Sequence, residues 1–117
     1  MLEKSAFIQG LFSFEGTGLE KPVSFQPPVT YRVPSDKRAQ TIYFRGGNPA
    51  AELIYIVLTR GGKPMRYFPI GAKAGIHVPL AVVEDIPPGS QVELLIAAPA
   101  GLKASVLIDV GLLEIAQ

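Results

Sequence analysis

The sequence predicts an all-β fold, a two-sheet sandwich of antiparallel strands, and three observations carry that prediction. Eleven prolines and twelve glycines are spread through 117 residues at short intervals, which leaves no room for a long helix. The segments between them are rich in Val, Ile, Leu, Tyr, Phe and Thr, the residues that suit a pleated, half-buried surface. Turn signals recur about every eight to twelve residues, the spacing of sandwiches and barrels.

Nine strands are expected. The first, Ala6–Glu15, stops at Glu15-Gly16-Thr17-Gly18. Two short ones, Pro22–Phe25 and Val29–Val33, precede the turn Pro34-Ser35-Asp36-Lys37, where proline presets φ. In Ala39–Arg45 the alternation sends Ile42 and Phe44 to one face and Thr41, Tyr43 and Arg45 to the other. Arg45-Gly46-Gly47-Asn48-Pro49 and Arg60-Gly61-Gly62-Lys63-Pro64 echo each other between apolar stretches and read as hairpin turns. They would join Ala39–Arg45, Glu52–Arg60 and Met65–Ile70 into a meander, with the two turns at opposite ends and no shared anion site. Gly75–Leu80 follows. Pro87-Pro88-Gly89-Ser90 introduces Gln91–Ala98, and Pro99-Ala100-Gly101 separates it from Ser105–Ile115, where Gly111 suggests a bulge that resets the alternation.

The expected core is Ile8, Phe12, Phe14, Ile42, Phe44, Ile54, Ile56, Leu58, Val92, Leu94, Ile96, Val106 and Ile108. Glu52–Arg60, Gln91–Ala98 and Ser105–Ile115 are apolar on both faces, whereas a sandwich covers only one face of each sheet. With 48% hydrophobic and only 18% charged residues, a domain of this size is expected to hide the excess at a subunit interface. Leu53, Tyr55, Val57, Leu95 and Leu107 are its expected members.

The length is that of one domain, residues 1–117, with a core that needs no staples. There is no cysteine, so disulfides, thiolate nucleophiles and thiolate metal sites are excluded. The first ten residues lack an apolar leader core, and no apolar run is long enough to span a bilayer, so a cytoplasmic protein without membrane contact is expected. Eleven Lys and Arg balance ten Asp and Glu without clustering, which argues against nucleic acid. No catalytic, metal or phosphate motif occurs, and Asp36, Glu84, Asp85 and Asp109 have no ligand spacing. His77 is the only histidine; an enzyme would need a carboxylate within its hydrogen-bond reach. The expectation is a non-enzymatic protein without a cofactor.

Tyr31, Tyr43, Tyr55 and Tyr67 recur every twelve residues, with Arg32, Arg45 and Arg66 close by. On adjacent strands, Tyr31, Arg32, Tyr43, Arg45, Arg66 and Tyr67 would form a face for a small molecule, a glycan or a protein partner. A regular meander whose tyrosines merely pair across strands produces the same spacing. The layout resembles jelly-roll and other Greek-key sandwiches, a class that includes sugar-binding modules, capsid proteins and trimeric ligands, and no residue motif selects among them. The leading expectation is a self-assembling structural or accessory subunit acting through protein contacts as a homo-oligomer. The alternative is a carbohydrate- or small-molecule-binding module that uses the Tyr/Arg face.

Overall fold

Eight strands build two facing sheets in the computed structural model, which describes residues 3–117. They are β1 (Glu3–Glu15), β2 (Val23–Arg32), β3 (Lys37–Asn48), β4 (Ile54–Arg60), β5 (Lys63–Ile70), β6 (Ala74–Pro79), β7 (Gln91–Ala97) and β8 (Lys103–Ala116). The first sheet has the order β1-β8-β3-β6 and the second β2-β7-β4-β5, every pairing antiparallel. Successive strands cross from one sheet to the other, except β4 and β5. This is the jelly-roll sandwich, two interlocked Greek keys.

Inward-facing side chains of both sheets interdigitate to form the core. Phe44 from the first sheet stacks on Phe68 from the second with ring centroids 4.2 Å apart, and Ile54, Ile56, Leu58, Ile70, Leu94, Ile96 and Ile108 are sealed around them. At the side of the sandwich where β1 faces β2, Phe12 and Phe14 pack on Phe25 at centroid distances of 5.6 and 6.5 Å. Both point inward but stay half-buried, because an edge strand has a neighbour on one flank only.

Four expectations about elements are corrected. Pro22–Phe25 and Val29–Val33 are not separate strands: Val23–Phe25 and Val29–Arg32 belong to one strand, β2, whose pairing with β7 is interrupted between Ser24 and Val29. Arg45-Gly46-Gly47-Asn48 is no hairpin turn but the second half of β3, paired with β6 and β8 on its two sides, so the meander is absent and the chain crosses sheets after Asn48. A Cβ on Gly46 would lie 2.6 Å from Ile70 Cδ1 and 2.8 Å from Phe44 Cε1, both side chains fully buried, so anything larger than glycine would make the core shift. Arg60-Gly61-Gly62-Lys63 is a turn as expected; φ of +56° at Gly61 and +82° at Gly62 gives the doubly left-handed geometry that matches strand twist.

Ile42 is not core. It is the extra residue of a bulge in β3, between the pairs Thr41–Leu112 and Tyr43–Gly111, and it is 40% exposed. Ala39 and Thr41 point inward before the bulge, Phe44 and Gly46 after it. Conversely β8 holds its alternation throughout, with Val106, Ile108, Val110 and Leu112 all inward, so Gly111 marks no bulge of its own.

Candidate functional site

The outer face of the first sheet carries a polar row that crosses all four strands. Register places Gln9 of β1 beside Asp109 of β8, Asp109 beside Arg45 of β3, and Arg45 beside His77 of β6. Asp109 is the hub. Its Oδ1 accepts hydrogen bonds from Gln9 Nε2 at 3.0 Å and from the Tyr43 hydroxyl at 2.9 Å, and its Oδ2 lies 4.0 Å from Arg45 Nη1. The Arg45 guanidinium sits 5.3 Å from the centroid of the Tyr43 ring, while His77 meets the same ring edge-on at 6.0 Å.

Gly111 determines this arrangement. A Cβ there would lie 2.0 Å from Tyr43 Cε2, so the ring occupies the space that a side chain would take. Folded onto the sheet, the tyrosine hydroxyl reaches Asp109 one row away. Partial burial raises the Tyr43 phenol pKa above its ordinary value, and so do the bond to Asp109 and the aspartate's charge, with Arg45 acting in the opposite sense.

Apolar groups flank the polar row on both sides. On one side stand Leu11 and Leu107, 65% and 56% exposed, in register with Gly47 and Gly75. The missing side chains leave an open hollow of about 500 Å³ bordered by Leu11, Leu107, Pro49 and Lys73. On the other side Phe7, 54% exposed, shares a row with Gly111, Tyr43 and Pro79. Large exposed apolar side chains this close together make a patch of the kind that marks contact surfaces.

The structure brings Tyr43 and Arg45 together and separates the rest of the expected Tyr/Arg face. Tyr31 points between the sheets, where its hydroxyl bonds Glu114. Arg32 lies on β2 and donates to the Gly89 carbonyl at 2.7 Å. Arg66 is drawn to the segment after β6, 2.8 Å from Glu84. Tyr67 is exposed on the outer face of the second sheet, beside Tyr55 at 6.1 Å. The expected interface residues divide likewise. Tyr55, Val57 and Leu95 lie on the second sheet's outer side with Leu53 just ahead of β4, while Leu107 lies on the first sheet. Val57 is only 1% exposed, flanked by Tyr67 and Leu95, whereas Leu53 is 45% exposed and Tyr55 half-buried.

His77 is exposed and pairs with Arg45, and the nearest acidic position of its row, Asp109, is two strands away with its oxygens engaged. Among the described residues no cluster of three or more His, Cys, Asp or Glu is arranged to hold a metal. Gln9, Phe7, Leu11, Gly47, Gly75 and Asp109 were not singled out as a face by the sequence. The signal within it is Asp109, a lone charge amid the apolar run Val106–Leu113, with Gly111 two residues on.

The chain matches no protein-family model and no curated protein. Among solved structures it is similar to the CBM36-1 domain of a multidomain xylanase from the hindgut metagenome of Trinervitermes trinervoides. That likeness has a TM-score of 0.60 and 14% identity, over 97% of this chain and 99% of that one. A chain of infectious bursal disease virus Gx strain aligns with TM-score 0.59 and 10% identity, and one of the Gt strain with 0.51 and 11%. Each alignment spans 97% of this chain but 33% of the viral one. At identities this low the likeness shows a shared jelly-roll fold and nothing finer, a fold found both in a xylanase's CBM36-1 domain and in viral chains.

Proposed function

We propose that this protein is a non-catalytic, self-associating subunit whose contact surface is the outer face of the first sheet. The observation that carries the reading is the polar row: Asp109 is already bonded by Gln9 and Tyr43, so its charge is answered within the face, and Arg45, 4.0 Å away and exposed, is left needing an acceptor that a facing copy supplies. Exposed Phe7, Leu11 and Leu107 beside it supply apolar area to remove from water. A glycan site needs outward-directed groups with free hydrogen-bonding capacity; Arg45 and His77 point outward, but the row's one carboxylate is turned to its own sheet.

The test is Leu107→Glu. Leu107 makes no part of the core, so the variant is expected to keep its strand circular dichroism while sedimenting as a smaller species than the parent. An unchanged sedimentation coefficient would remove this face from the assembly.

A carbohydrate-binding reading has one feature in its favour, the hollow over Gly47 and Gly75 with Lys73 at its rim. The xylanase domain that shares the fold is a carbohydrate-binding module. Thermal stabilisation of the monomer by an oligosaccharide, abolished by Gly75→Leu, is the outcome that reading requires.

A further inference from the structure

The line between β8 and β3 divides the three central rows of the first sheet's outer face into complementary halves. In one row Leu11 and Leu107 project on one side, and Gly47 and Gly75 leave a hollow on the other. In the next, Gln9 and Asp109 stand opposite Arg45 and His77. In the third, Phe7 projects on one side and Pro79 lies on the other, with Tyr43 folded over Gly111 across the line. A two-fold axis above the face and parallel to the strands along that line exchanges the halves and keeps every row at its own height.

We infer that this face is an isologous interface between two copies of the chain related by that axis, an inference that rests on the self-association reading and specifies its partner and register. The leucines of each copy fill the glycine hollow of the other. Asp109 of each copy faces Arg45 of the other, so each ion pair gains a second partner and the central row is electrically neutral, with Lys73 left at the rim. Phe7 covers the partner's Pro79. Aligned face-to-face packing of two twisted sheets accommodates such an axis. The three four-strand rows and the two three-strand rows beyond them, at about 4.8 Å between strands and about 6.8 Å between rows, give roughly 600 Å² of projected face, the low end of specific interfaces, which begin at about 600 Å² per partner. The outer face of the second sheet has no comparable division: Val57 and Thr59, near its centre, are covered by the chain's own side chains.

The absence of cysteine makes the register directly readable, because introduced thiols are the only ones. Leu11 and Gly75 are at opposite edges of one sheet, three strands apart, and in the proposed dimer Leu11 of one copy lies over Gly75 of the other. Leu11→Cys and Gly75→Cys chains, one carrying a size tag, are co-expressed and treated with a short bismaleimide. The expected product is the mixed covalent dimer, with at least a ten-fold excess over either homodimer. Gln9→Cys with His77→Cys repeats the measurement one row along if either first variant folds poorly. Equal or greater homodimer cross-linking, or no cross-link in samples that light scattering reports as dimers, overturns the register and leaves self-association standing. Monomeric mass for the parent chain overturns both.

Discussion

Gly111 and Tyr43 form a unit in which a missing side chain on β8 positions a ring from β3. Adding one methyl with Gly111→Ala forces the ring off the sheet and breaks its bond to Asp109. The expected cost is about 1–3 kcal/mol by urea denaturation, as for other overpacked sites. In a Tyr43→Ala background the same change should cost little, and a full cost there would show that the ring is not what the glycine accommodates. A second tyrosine serves the interior. Tyr31 bonds Glu114, which is 7% exposed and has Lys37 Nζ 3.6 Å away. Tyr31→Phe removes one partner of a buried carboxylate and is expected to cost about 1–3 kcal/mol. Burial, then the bond to Glu114 and its charge, raise the Tyr31 pKa above its ordinary 10.0. The folded state therefore holds this proton where the unfolded chain releases it. The associated stability is complete below about pH 10 and is lost as pH rises beyond it. Tyr43 is shifted in the same direction, so the check is a difference: stability of Tyr31→Phe should fall less steeply above pH 10 than that of the parent. Identical slopes would contradict the assignment.

β3 is the element where local pattern and structure diverge most, and the reason is one residue. The alternation through Ile42 and Phe44 is a correct reading of a regular strand, but the bulge at Ile42 shifts the phase between Thr41 and Tyr43. Phe44 is fully buried against Phe68, so Phe44→Ala is expected to cost about 3–5 kcal/mol, against less than about 1 kcal/mol for Ile42→Ala. Equal losses would place Ile42 in the core after all. The doublets Gly46-Gly47 and Gly61-Gly62 look alike in sequence and differ in role. The second adopts positive φ in a turn; the first lies in a strand, where Gly46 clears Ile70 and Gly47 helps to open the hollow. No local rule separates them, since the deciding contact comes from β5. By contrast β4, β7 and β8 as far as Val110 read correctly on their inward faces because regular alternation there meets a continuous core; beyond it Gly111 misled, since its small size serves the Tyr43 ring and not a bulge of β8.

At the scale of the molecule, two sheets with apolar inner faces were legible in composition and spacing alone, because turn chemistry and strand propensity are local. The polar row was not, since its members come from four strands and Gln9 and Asp109 are 100 residues apart in the chain. Equal spacing of the tyrosines suggested one face, yet the jelly-roll crossings carry Tyr31 inward, Tyr43 to one outer face and Tyr67 to the other. The excess apolarity raised the expectation of a contact surface centred on β4 and β7; Val57 there is covered by its neighbours, while Phe7, Leu11 and Leu107 stand exposed together on the first sheet, the face proposed above. The central claim, that this face is buried between copies of the chain, is tested most directly by absolute mass from size exclusion with light scattering at low and at high salt. The expected result is a multiple of the 12.5 kDa chain mass, with a dimer as its smallest unit, that persists at high salt because salt does not screen the contacts of Phe7, Leu11 and Leu107 that flank the ion pair. A 12.5 kDa species at every concentration and salt would contradict it.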